Sequence, residues 1–351
     1  MDDRRAGRVP IGLAAALLLA GGLRAAEPTP ATTPTPTPPG RGVAFEFNPL
    51  TALHASLRAQ AESTDSAKGS AEPMATAIDA YRAFAAGAPT GAAGALYLQG
   101  ADVLVASAVD LEDLRSRLEL AAGIPGSRLP VEPMRTLLLP ALEKAWPSYS
   151  GGQAARDEQE VRARMEWWAA TIAPRLQPAL TWLGEVVGIT APAAAVPVRL
   201  VPTMPGKGAA TFRTRQGALI VAGTSRYQGS AFVEVILHEM LHAWEVVAPD
   251  SLGSLVRQRL ETAGAEVETQ RQIPHTLIFL LAAEGTKRFI DPEHVPVGEQ
   301  YGAYCRGLER YRAPIEPLLR EHLEGQLDRG AFIDRLVALF APAAPAAPAT
   351  P

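Results

Sequence analysis

His238-Glu239-Met240-Leu241-His242 is the stretch of this chain whose residue types and spacing amount to chemistry. On a helix, residues four apart project from one face, so both imidazoles can reach a single ion while Glu239 stands beside a water held there. Zn²⁺ suits imidazole donors, and a carboxylate next to zinc-held water suits metal-assisted hydrolysis. That chemistry needs a helix under the motif, a third ligand and a place for substrate.

The flanking sequence supplies the helix. From Val196 the texture changes: Val198, Leu200 and Val201, then Ala218 to Val221, are short apolar runs separated by Pro202, Pro205, Gly206, Gly208 and Gly217, which reads as strand and turn. After Gly223, Ser230 is the expected cap of an apolar helix containing Phe232, Val235, Ile236, Leu237, Leu241, Trp244 and Val247, with Pro249 as its stop. A second apolar helix is expected to start after Pro274 and run to Phe289, interrupted by one acid, Glu284. A charge inside so apolar a run needs a partner, and a metal ion is one candidate.

On these residues the chain resembles the zincin metallopeptidases, whose HExxH motif is written here as His238-Glu239-Met240-Leu241-His242. The resemblance is specific at the motif helix and looser over 196–289. It implies a zinc site with Glu239 as general base, a peptide or protein substrate, and a strand beside the motif helix whose exposed edge pairs with the substrate backbone. Ala218 to Thr224 is the matching segment. No histidine follows His242 at the metzincin spacing, so the likeness is to the gluzincins, in which a glutamate from a downstream helix completes the site.

Glu284, 42 residues after His242, fits that role, and His275 is its rival. Nine residues separate the two, and at about 100° per residue they point in opposite directions on a regular helix, so only one can bind. Glu266 and Glu268 are further alternatives, and Glu284 is also placed to pair with Arg288. Gluzincins often carry an aspartate four residues after the ligand glutamate; here that position is Arg288, leaving Glu245, Glu268 or Asp291 to orient a ligand histidine. Tyr301, ahead of His275 and Tyr304, is the expected donor to the oxyanion.

Around this part, the 351 residues are 47% hydrophobic and 20% charged with net charge −4, a globular composition without the basic excess of nucleic-acid binders. Arg4, Arg5 and Arg8 precede an apolar run from Val9 to Ala20 and a small-residue exit at Ala25 and Ala26, which reads as a signal peptide over 1–26. No membrane insertion is expected once it is removed, and without a cysteine near the cleavage point the product should be periplasmic or secreted. A Pro/Thr-rich linker is expected over 27–42 and an Ala/Pro-rich tail over 341–351. Between them lie a helical N-terminal part, 43–195, and the zincin-like part, 196–340. The one cysteine, Cys305, excludes an internal disulfide and is expected to be a buried small hydrophobe.

In 43–195, helices are expected over Glu72 to Ala86, from Asp110 to Gly123, over Glu132 to Trp146 with a break at Pro140, and from Gln153 to Ile172, resuming to Val187 after Pro174 and Pro178 disturb the pattern. Leu96 to Val109 reads equally as helix or strand. Trp167 and Trp168 read as core packing rather than a ligand platform. The expected fold is α+β and predominantly helical, with a small sheet beside the active-site helix. A zinc-binding scaffold without turnover is the alternative to a peptidase.

Overall fold

A four-stranded mixed sheet stands between two groups of helices. In spatial order its strands are β1 (Val43–Phe47), β2 (Val196–Val201), β4 (Gly217–Gly223) and β3 (Ala209–Thr214). β1, β2 and β4 run parallel, with Phe45 opposite Val198 and Arg199 opposite Val221; β3 runs antiparallel to β4, with Phe212 opposite Leu219. β2 and β4 were legible as apolar runs. β4 is not an edge, however, because β2 and β3 occupy both of its sides, and the strand with an open side next to the motif helix is β3.

The structure is a computed structural model that describes residues 42–63, 72–124, 129–189, 195–206, 208–214, 216–302, 304 and 307–342. The expected signal peptide, nearly all of the linker and tail, and Cys305 lie outside the described residues. All described residues belong to one unit, 39–351. The fold is α+β and mainly helical, as expected. No described helix is long and apolar enough to cross a membrane.

Strand alternation divides the interior in two, because successive side chains point to opposite faces of a sheet. Val201, Phe212, Leu219 and Val221 face a core built with α1 (Pro49–Glu62), α2 (Glu72–Ala86), α3 (Ala92–Ser107), α4 (Leu111–Ala122), α5 (Val131–Pro133) and α6 (Leu139–Ser148). Val198, Leu200, Ile220 and Ala222 face the other core, which contains residues of α7 (Ala154–Thr171), α8 (Ala173–Val187), α9 (Gly229–Val247), α10 (Leu252–Thr262) and α11 (Val267–Phe289). α12 (Val297–Gln300), α13 (Glu309–Leu323) and α14 (Arg329–Phe340) follow. The division between the cores thus passes through the sheet, and α7, α8 and β1 lie with the motif helix although they precede residue 196.

Local chemistry accounts for the element ends. Asp110 accepts from the Asp113 amide at 2.9 Å and caps α4, and the ambiguous run before it is helical. Pro140 does not break its helix, since a π-helical turn over Met134–Leu138 absorbs the change in hydrogen bonding. Trp168 packs edge-on against Phe45 and Phe232, the core role expected of it.

Candidate metal centre

α9 follows β4 into the middle of the second core. Its cap is Gln228 rather than Ser230, whose hydroxyl lies in the first turn at 3.0 Å from His294 Nδ1. Phe232, Val233, Ile236, Leu237, Met240, Leu241 and Trp244 are buried around the helix, and His238 and Glu239 are each only 7% exposed. Such burial of polar groups is costly without a compensating partner or task.

α11 begins at Val267 and passes through Pro274 without ending, contrary to the expectation of a start after that proline. The missing proline N–H forfeits one helical hydrogen bond. The burial of Ile273, Pro274, Leu277 and Ile278 outweighs it. His275 therefore sits in mid-helix facing α9, and its Nε2 lies 3.3 Å from His238 Nε2.

His238, His242 and His275 present one nitrogen each within 4.8 Å of one another, and the three could hold a metal ion. Ring centroids are separated by 4.8 Å for His238 and His242, 5.2 Å for His238 and His275, and 5.1 Å for His242 and His275. Three nitrogens bound tetrahedrally to one zinc stand about 3.3 Å apart, so one pair already has that spacing and the others need a small closure. His238 Nδ1 is buried without a hydrogen-bond partner. The nitrogen that His238 turns toward His275 is Nε2, the one available to a shared ion.

Glu284 is not in this group. It lies half a helical turn away in projection, partly exposed, and pairs with Arg288 at 3.3 Å. The opposed directions of His275 and Glu284 are as the helix geometry requires, but the histidine rather than the acid faces the motif. Glu268 is likewise turned outward, bonded to Arg271 and Gln272.

Burial, and then the neighbouring His242 and His275, push His238 well below the usual histidine value. It is therefore neutral, as a ligand must be. Burial also works to lower His242, but Glu245 and Glu239 outweigh it and the net shift is upward. Glu245 Oε2 is 3.9 Å from His242 Nδ1, an ion-pair contact longer than a hydrogen bond. Asp291, another sequence candidate for orienting a ligand, instead accepts from the Glu293 amide.

Glu239 is held by the edge strand. Thr211 Oγ1 lies 2.7 Å from Glu239 Oε2 and 2.9 Å from the Glu239 carbonyl oxygen. Phe279 walls the cluster, its ring 4.2 Å from His238 and 5.1 Å from His275 between centroids. Tyr301 is exposed and packs edge-on against Tyr227, and among the described residues no contact links it to the histidines. Tyr304 is closer: its ring lies 5.9 Å from Phe279 and its hydroxyl is buried without a partner, with burial raising its pKa above the usual phenol value.

One turn before His238, the buried Glu234 carboxylate accepts from His294 Nε2 and, at 2.8 Å, from the Val297 amide. This network ties the segment after α11 back to the start of α9. Sequence reasoning missed Thr211, Phe279 and the Glu234–His294 pair. Only Thr211 had a usable signal, since the weakly periodic run Ala209 to Thr214 ahead of Gly217 and a second apolar run marks a hairpin. No protein-family model matches the chain, and neither the curated proteins nor the solved structures give a significant match.

Proposed function

We propose that the chain is an exported zinc-dependent metallopeptidase in which His238, His242 and His275 hold the ion and Glu239 is the general base. What carries this reading is the convergence of three imidazoles from two helices beside a carboxylate fixed by an edge strand. Three protein ligands leave a fourth position, which is the arrangement of catalytic rather than structural zinc. When bound there, zinc would polarise a carbonyl and acidify a water.

Glu239 follows His238 directly and its carboxylate is restrained by Thr211, so it can take a proton from water and pass it to a leaving amine without searching rotamers. β3 supports a peptide as substrate: its outer side pairs with no other described strand, and an extended backbone can add there irrespective of its side chains. The half-buried Phe279 ring lies over His238 and covers part of the cluster on the α11 side. Export rests on the character of residues 1–26.

Metal analysis and one substitution test the reading. Purified protein should contain zinc at neutral pH and cleave a mixed peptide library. Glu239→Gln should keep the metal and lose roughly 100- to 10,000-fold in turnover, the usual contribution of a positioned base. Protein without zinc at neutral pH would overturn the metal site, and zinc without cleavage in either form would leave a binding scaffold.

A further inference from the structure

We infer that Glu245 is a positioning residue for His242, and that position 253 is glycine because the Glu245 carboxylate occupies the space a side chain there would fill. The inference rests on the metal-site reading above. Glu245 follows His242 by three residues on α9, so the two share a face. Its Oε2 stands 3.9 Å from His242 Nδ1 and 4.0 Å from an Arg257 guanidinium nitrogen.

The surroundings make the placement specific. Glu245 borders a narrow gap lined by Leu241, Leu252, Pro274 and Leu277, between α9, α10 and α11. A carboxylate among such residues is costly unless it has a charged or hydrogen-bonding partner. His242 and Arg257 are both at ion-pair distance from Glu245 Oε2, and His242 turns Nδ1 toward it. With Nδ1 held in this way, Nε2 is the nitrogen presented to His238 and His275, and a carboxylate behind a ligand imidazole fixes both its tautomer and its orientation.

Gly253 supplies an independent observation. A Cβ at this position would lie 1.7 Å from Glu245 Oε1, 2.9 Å from its Cδ and 3.6 Å from Pro274 Cβ. Its backbone does not explain the residue, because Gly253 is not among the glycines with positive φ and lies at the start of α10, where alanine is the better helix former. What the glycine provides is room for the carboxylate beside Pro274, the residue immediately before His275. One small residue thus gives Glu245 of α9 room beside α11, the other helix that carries a proposed ligand.

The test is zinc affinity, by competition with a chromophoric chelator, and the visible spectrum of the Co²⁺-substituted protein, with melting curves as a check on folding. Glu245→Ala should weaken zinc binding by roughly 10- to 100-fold and shift the Co²⁺ bands. Gly253→Ala should act in the same direction, since its methyl group displaces the flexible end of Glu245 rather than backbone; it carries the test if Glu245→Ala does not fold. In the double variant Gly253→Ala should add no further loss, because its effect passes through Glu245.

Unchanged affinity and spectrum in a folded Glu245→Ala protein would overturn the inference while leaving the three-histidine site intact. A Gly253→Ala loss that persists in full without Glu245 would overturn the link between the two positions. Absence of zinc from the unsubstituted protein would overturn the metal reading itself.

Discussion

Thr211 on the edge strand donates its hydroxyl to the carboxylate of Glu239 on the motif helix, at 2.7 Å. The strand proposed to receive substrate and the group proposed to move protons are therefore mechanically joined. A hydrogen bond to a charged group contributes about 1.5–3 kcal/mol, so its loss corresponds to roughly 10- to 150-fold.

Thr211→Val keeps the shape and strand preference of the residue but removes the hydroxyl. Turnover should fall by roughly 10- to 100-fold with zinc content unchanged, and Thr211→Ser should recover most of it. Steady-state kinetics on one cleaved peptide decide the matter: full activity in Thr211→Val would show that Glu239 needs no such restraint.

His294 should matter for folding. Its ring and the Glu234 carboxylate are almost completely buried and meet each other there, so His294→Ala removes a buried partner of that carboxylate. Breaking a buried pair in this way costs about 3–5 kcal/mol. Urea denaturation should show a loss of that order, partly recovered by combining it with Glu234→Ala. A His294→Ala protein as stable as the original would contradict the account.

The other core has its own partly buried network, and its pH dependence has a definite sign. Burial works to raise Asp102, but hydrogen bonds and charge from His54 and Arg58 outweigh it and hold the carboxyl below its ordinary 3.8. Asp102 Oδ1 meets His54 Nε2 at 2.9 Å and Oδ2 meets Arg58 at 2.6 Å. A lowered carboxyl contributes stability that is present above its unfolded pKa and disappears as pH falls through the folded value. The stability advantage of the protein over Asp102→Asn should therefore be full at pH 6 and shrink as the pH is taken below about 4, measured by thermal melts. An advantage that grows on acidification would contradict the assignment.

The motif helix, β2, β4 and most of the N-terminal helices were legible because each has a strong apolar period and a clear stop. β3 was hidden in a segment rich in turn residues, where Gly206, Gly208 and Gly217 outweigh a strand of six residues with a weak period; pairing with β4 decides its structure. The same tertiary influence carries α11 through Pro274, where burial against α10 outweighs a lost hydrogen bond.

Two members of the histidine cluster were legible as candidate ligands, and the third, His275, ranked behind Glu284 for a physical reason. Glu284 drew notice as the lone acid among Leu280, Leu281, Ala282 and Ala283, but the helix turns it outward to Arg288, which itself lies over the Trp182 ring. The direction in which α11 faces α9 is a tertiary property. The pair His275 and Phe279, one turn apart and both against His238, defines it.

The zinc content of three proteins tests the central claim most directly: the unsubstituted chain, His275→Ala and Glu284→Ala, each dialysed against metal-free buffer at neutral pH. The account predicts about one zinc per chain in the first and third and little or none in His275→Ala, because two histidines without a third protein ligand hold zinc weakly. Retention of zinc by His275→Ala, or its loss from Glu284→Ala, would contradict the three-histidine site.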